Sequence, residues 1–287
     1  MSVKFMDKRP DGFACDSRIV PFKFPGGETH LRVPDDYDDV PYYATVKGAD
    51  MDDYMALAMW SDVHRSIQSY DVNPSRVALI PYLPGARADR GWPFGARVYA
   101  DFLNSLDLTQ IITFDPHSEV MPGLLGKRLK VINSSHTVKN AIQGYHGDLS
   151  NDYVGVIAPD KGAYARAKET AQVMHLPLFQ AEKHRDFETG KLSGFSCEPL
   201  PDKGRLLVVD DICDGGGTFM GLAEATGVHR SRLTLFVSHG IFSGNKVQNL
   251  WEYYSKIITT DSHPGHTRLT GATIIPITPV LIPYIER

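Results

Sequence analysis

A chain of 287 residues is long enough for one large or two ordinary domains, and its net charge of -4 excludes a dominant nucleic-acid surface. With 42% hydrophobic and 22% charged residues it has the composition of a soluble globular protein. Cys15, Cys197 and Cys213 are widely spaced and odd in number, which suits a reducing compartment and gives no metal-ligand spacing. The N-terminus carries no apolar core of signal-peptide length, and the apolar stretch 274–285 is short and broken by Pro276, Pro279 and Pro283. A cytoplasmic protein without a membrane span is expected.

In chain order, residues 13–33 read as short strands, with Phe24-Pro-Gly-Gly-Glu28 as a hairpin turn. The pattern over 51–67 predicts a helix whose core stripe holds Met51, Met55, Ala58 and Val63, with Tyr54, Leu57 and Trp60 flanking it. An apolar strand over 77–83 runs into a loop bearing Arg87, Asp89 and Arg90. A helix over 94–106 follows, then a strand over 110–114 that ends in Asp115-Pro-His117. The alternation resumes with a strand over 153–158 ending at Asp160, a helix over 163–174, and a short strand over 177–180 leading to Lys183-His-Arg185. Residues 186–204 are polar, with Gly190, Gly194, Pro199 and Pro201, and read as a mobile loop or a hairpin. A strand over 232–238, a helix over 245–254 and a strand over 256–260 complete the pattern. Strands alternating with helices predict largely parallel sheets flanked by helices. The pattern occurs twice, with a boundary expected near 140–150, giving domains 1–145 and 146–287. The tail of the second is open to packing back on the first.

The most informative stretch is 205–218. Leu206 to Val209 are apolar without alternation, as in a strand buried on both faces. Asp210 and Asp211 follow at its carboxyl end, then Asp214, Gly215, Gly216 and Gly217, and Thr218 opens a helix. Glycines allow close backbone approach, and N–H groups at a helix start attract phosphate. Carboxylates repel phosphate but hold sugar hydroxyls or a divalent metal. The combination suits a phosphorylated sugar; the plain alternative is a strand, turn and helix with acidic caps.

This string resembles the 5-phosphoribosyl-1-pyrophosphate (PRPP) motif of type I phosphoribosyltransferases and PRPP synthetases. Further segments resemble PRPP synthetase motifs in the family's order, from about residue 20 to about residue 265. Arg87-Ala-Asp-Arg90 is similar to their Ala-Arg-Gln-Asp-Arg, Phe114-Asp115-Pro-His117 to their Asp-Leu-His, and Ala158-Pro-Asp160 to their Ser-Pro-Asp. Lys183-His-Arg185 is similar to the Lys-Arg-Arg that starts their catalytic loop, Ser238-His-Gly-Ile-Phe-Ser243 to their Thr-His-Gly-Ile-Phe, and Phe24-Pro-Gly-Gly-Glu28 to their Phe-Ser-Asp-Gly-Glu. A single-domain phosphoribosyltransferase shares only the PRPP motif.

The resemblance to ribose-phosphate pyrophosphokinases implies two phosphoribosyltransferase-like domains and a magnesium-dependent transfer of the β,γ-diphosphoryl group of ATP to the anomeric hydroxyl of ribose 5-phosphate. It implies that His117 and Asp160 hold Mg2+ with the ATP phosphates. It gives Lys183 and Arg185 the transferring group, and Arg87, in a loop with Asp89 and Arg90, the ATP phosphates. Asp210 and Asp211 take ribose hydroxyls or a second metal, and Asp214 with Gly215 to Thr218 takes the 5-phosphate. Phe24 and Glu28 take adenine, in their own or a neighbouring subunit, since family members form homo-oligomers, dimers or hexamers. Plain readings compete: His117 as a capping or packing residue, Lys183 and Arg185 as solvated cations, Arg87 as a buried ion-pair partner of Asp89.

Three departures matter. Gly26 stands for the family's Asp, Ala88 for its Gln, and Gly215 for a hydroxyl-bearing residue of its phosphate loop. The last opens the acceptor question. A looser loop suits an esterified ribose 5-phosphate such as ADP-ribose, which would place the chain in NAD metabolism. Two other readings remain: a phosphoribosyltransferase that consumes PRPP, and a catalytically silent partner of a synthetase.

Overall fold

Unalternating apolar runs build the middle of two sheets, and the residues between them supply the covering helices. The computed structural model describes residues 2–8, 13–66, 76–143, 152–185 and 192–286. They fall into two compact units, Met1–Ile132 with Ile277–Arg287, and Asn133–Pro276.

The first unit contains β1 (Lys4–Lys8), β2 (Ala14–Asp16), β3 (Val20–Lys23), β4 (Thr29–Arg32), β5 (Val40–Thr45), α1 (Met51–Ser66), β6 (Val77–Leu79), α2 (Gly95–Ser105), β7 (Gln110–Phe114), α3 (Val120–Leu125) and β8 (Leu129–Ile132). Its sheet runs β2-β1-β5-β6-β7-β8, with β5 to β8 parallel and the first two strands antiparallel. β3 and β4 form a separate hairpin. Successive side chains of a strand point to opposite faces. Ala78, Ile80 and Ile111 therefore pack against Tyr54, Leu57 and Trp60 of α1 and Ala96, Ala100 and Leu103 of α2. Val77, Leu79, Ile112 and Phe114 form a second cluster on the other face. α1 is turned relative to expectation: Met51 and Met55 are exposed, while Tyr54, Leu57, Trp60 and His64 are buried. The larger aromatic area decides which stripe faces the sheet.

The second unit contains α4 (Ser135–Gln143), β9 (Tyr153–Ala158), α5 (Tyr164–Met174), β10 (Leu178–Arg185), β11 (Leu192–Cys197), β12 (Arg205–Cys213), α6 (Gly217–Thr226), β13 (Leu233–Gly240), α7 (Leu250–Tyr253), β14 (Lys256–Thr260) and β15 (Thr273–Ile275). The sheet order is β11-β10-β9-β12-β13-β14-β15, parallel except for β11. Leu206 and Val208 meet Phe219, Leu222 and Ala223 of α6 on one face. Leu207 and Val209 meet Val138 and Ile142 of α4 and Ala167 and Ala171 of α5 on the other. A last short helix, α8 (Thr278–Leu281), belongs to the first unit, where Ile277, Leu281 and Ile285 join the cluster around Leu79 and Phe114.

The division between units thus follows Ile132 instead of lying near 145, because α4 packs on β9 and α5; residues 144–151, where the boundary was expected, lie outside the described residues. Of the loop and hairpin readings of 186–204, the described part is a hairpin arm: β10 continues to Arg185, and β11 pairs back on it from Cys197 at Ala181. Residues 186–191 lie outside the described residues. The expected helix over 245–254 shrinks to a 3-10 turn, Val247–Asn249, and α7. Among the described residues no helix is long and apolar enough to cross a membrane.

Candidate active site

The strand that the sequence ends at Val209 continues through the acidic pair, so Asp210 and Asp211 lie within β12 and are buried, at 9% and 5% exposure. The Asp211 amide donates to Asp210 Oδ1 at 2.8 Å. Two carboxylates this close cannot both ionise cheaply. Burial, and then the charge of Asp211, push the Asp210 carboxyl well above its ordinary value, while Arg166 pulls the other way. Arg166, in the first turn of α5, places Nη1 at 3.6 Å from Asp210 Oδ1 and 3.5 Å from Asp211 Oδ1. These are ion-pair distances, too long for good hydrogen bonds.

The glycine loop follows directly. Gly216 sits at φ 81° as the N-cap of α6, a left-handed conformation that glycine adopts without penalty. Gly215 and Gly217 are exposed. A neighbouring segment straps this loop in place. Ile241 and Phe242 donate their amides to the Cys213 carbonyl at 3.0 Å each, the Ser243 amide reaches the Asp214 carbonyl at 3.1 Å, and the Ser243 hydroxyl donates to the Asp214 carboxylate. The buried ring of Phe242 anchors the strap.

Asp160 stands just past the carboxyl end of β9, next to β12 in the sheet. Its Oδ1 accepts from the Ala163 amide at 3.0 Å and its Oδ2 from Lys183 Nζ at 2.5 Å. Burial works to raise this carboxyl, but the Lys183 hydrogen bond and charge hold it below the ordinary value. It is therefore an ionised hard-oxygen group, the kind that magnesium takes. No cluster of three or more His, Cys, Asp or Glu with metal-site geometry occurs among the described residues. Magnesium commonly takes one or two carboxylates and fills its octahedron with phosphate oxygens and water, so these donors fit a metal shared with a phosphorylated ligand. Arg185 ends β10, but its side chain is outside the described residues.

In the first unit, the loops after β6 and β7 meet. Burial pushes the Asp89 carboxyl up, but hydrogen bonds from Ser118 and Arg90 and the charges of Arg90 and His117 pull it below the ordinary value. Arg90 Nε lies 3.3 Å from Asp89 Oδ1, so Arg90 is an ion-pair partner of Asp89, and Arg87 is exposed, not buried. Phe24 lies elsewhere in this unit, 46% exposed at the hairpin turn, edge-on to Phe22 and His30 at 4.9 and 5.5 Å. Glu28 is exposed beside it. Lys23 and Thr29 tie the hairpin to Asp52 of α1.

The second unit therefore brings together Asp160, Lys183, Asp210 and Asp211, and the strap joins Asp214 and its loop to β13. The first unit brings together Asp89, Arg90 and His117. His117 and Asp160, expected to share a metal, belong to different units. Sequence reading missed Arg166, and it singled out Ser243 within a motif without giving it a role of its own. Arg166 had a signal: it lies three residues after Ala163 and four before Thr170, both buried, so a cation occupies the sheet-facing stripe of a helix.

A model of the phosphoribosyl transferase domain matches residues 131–235. The ribose-phosphate pyrophosphokinase of Cereibacter sphaeroides is 27% identical over 262 residues, covering 84% of this chain and 75% of the relative. That of Sulfurisphaera tokodaii is 24% identical over 267 residues, covering 90% and 88%. Among solved structures, the phosphoribosylpyrophosphate synthetase from Mycobacterium smegmatis is similar with a TM-score of 0.70 at 19% identity, covering 94% of this chain and 89% of the other, a likeness of fold.

Proposed function

We propose that this chain, similar over most of its length to ribose-phosphate pyrophosphokinases, is a diphosphokinase-type transferase of that kind and transfers the β,γ-diphosphoryl group of ATP to the 1-hydroxyl of ribose 5-phosphate, giving PRPP and AMP. The observation that carries this is the meeting, at the carboxyl ends of adjacent parallel strands, of a buried acidic pair, a glycine loop at a helix start, and a lysine held on a carboxylate. Open α/β sheets bind ligands at that edge.

In this reading Asp210 and Asp211 accept hydrogen bonds from ribose hydroxyls, and the amides of the 214–218 loop with the Thr218 hydroxyl hold the 5-phosphate. The anomeric oxygen bonds to the β-phosphorus as its hydroxyl proton passes to solvent, the bridge to the α-phosphate breaks, and AMP leaves with the bridging oxygen. Lys183 and Arg185 neutralise charge that develops on the diphosphoryl group. Arg87 and Arg90 meet ATP phosphates, with Asp89 orienting Arg90, and Phe24 and Glu28 take adenine. Magnesium, when bound, neutralises the ATP phosphates; Asp160 and His117 are the residues assigned to hold it. A homo-oligomer in the cytoplasm accompanies this reading.

One observation favours a second acceptor. Gly215 is exposed, and among the described residues a Cβ there would meet only the Ser243 carbonyl oxygen, at 3.9 Å. Space beside the phosphate loop suits ADP-ribose, whose 5-phosphate continues into a second phosphate.

The test is substitution at Lys183. Lys183→Ala is expected to lower AMP release by roughly 10²-fold or more while ATP binding stays near wild type. EDTA is expected to stop the reaction and magnesium to restore it. Wild-type turnover in the variant, or transfer in EDTA, would overturn the proposal.

A further inference from the structure

We infer that Arg166 is the positioning residue of the acceptor site: its guanidinium spans Asp210 and Asp211 and holds the two carboxyl groups as a fixed template for adjacent ribose hydroxyls. The inference rests on the reading of this pair as ribose ligands.

The geometry carries it. One guanidinium nitrogen lies almost equally far from both carboxyl groups, at 3.6 and 3.5 Å. The Arg166 side chain is only 12% exposed, so water screens this contact poorly. Small buried neighbours, Ala163 just before α5 and Ala167 and Thr170 on it, leave room for its stem along the sheet. The Asp211 amide holds Asp210 Oδ1 from the backbone side at 2.8 Å. Asp210 is thus hydrogen-bonded from the strand and paired by charge from the helix. A guanidinium suits this task, because its charge stays delocalised over a rigid plane that can face two carboxyl groups, whereas an ammonium is a point charge on a flexible stem. Holding ligand groups in place before the ligand arrives lowers the entropy cost of binding it.

Charge points the same way. Lys183 is engaged with Asp160 at 2.5 Å. The cation paired with the acidic pair is Arg166, and the ligand that must approach carries phosphate. Without this cation, two carboxyl groups would face that ligand with their repulsion uncompensated. The role is positioning, since the guanidinium acts on the ligand through the two aspartates.

The experiment is calorimetric titration of wild type, Arg166→Gln and Arg166→Lys with ribose 5-phosphate and with ADP-ribose, reading the ligand that wild type binds, and with ATP as the control. Arg166→Gln is expected to weaken the ribose ligand by about tenfold or more and ATP by less than about twofold. Arg166→Lys is expected to fall between Arg166→Gln and wild type. A merely structural arginine would lower both affinities together, and that outcome, or ribose-ligand affinity unchanged in Arg166→Gln, would overturn the inference. A wild-type protein that binds a ribose ligand but releases no AMP would remove the proposed transfer and leave this comparison intact. Binding of neither ribose ligand would overturn both.

Discussion

At Gly216 the backbone turns through φ 81°, and a Cβ there would lie 3.2 Å from the Leu250 side chain. At Gly215 neither constraint holds. Two neighbouring glycines thus have different reasons to be there, one conformational and one spatial. Gly216→Ala is expected to cost about 1–2 kcal/mol from the left-handed backbone alone. Gly215→Thr is expected to leave stability near wild type and to shift the ratio of kcat/KM for ribose 5-phosphate over ADP-ribose upward, by adding a donor and filling space. Urea denaturation checks the first and competition between acceptors the second. An unchanged ratio would place the acceptor preference elsewhere in the cleft.

Elements were legible in the sequence where one local force dominates. The run Leu206 to Val209 is buried on both faces, and no helix pattern competes with it, so β12 was readable. Its extension through Asp210 and Asp211 was not, because buried carboxyl groups look like loop residues until Arg166 is seen beside them. For α1, periodicity gave the helix but not its rotation, since two stripes were apolar and only the sheet chooses between them. The glycine loop was readable from composition; the strap from Ser243 was not, because it depends on β13 lying next to β12. The assignment of α8 is also non-local. Leu281 is fully buried in the cluster with Leu79, Ile112 and Phe114, far away in sequence. Leu281→Ala is therefore expected to cost about 2–5 kcal/mol, read as a lowered urea midpoint with unchanged slope. A wild-type midpoint would contradict the packing of the tail on the first unit.

At the scale of the whole molecule, a protein with a net charge of -4 is proposed to handle two polyanions. Net charge sets solubility and long-range approach; local groups decide binding. Each unit offers its own cations: Arg87 and Arg90 in the loop after β6 of the first, Lys183 on β10 and Arg166 on α5 in the second. In the second unit Asp160 is matched to Lys183 and the Asp210–Asp211 pair to Arg166. That pairing keeps carboxyl groups available for hydroxyls or a metal without turning the site against phosphate. The central claim is the transfer of a diphosphoryl group as one unit. It is tested most directly by mass spectrometry of the products formed from ATP with ribose 5-phosphate and with ADP-ribose, in magnesium. AMP together with an acceptor that has gained a diphosphoryl group is the expected result. ADP with an acceptor that has gained a single phosphoryl group, or no AMP with either acceptor, would contradict it.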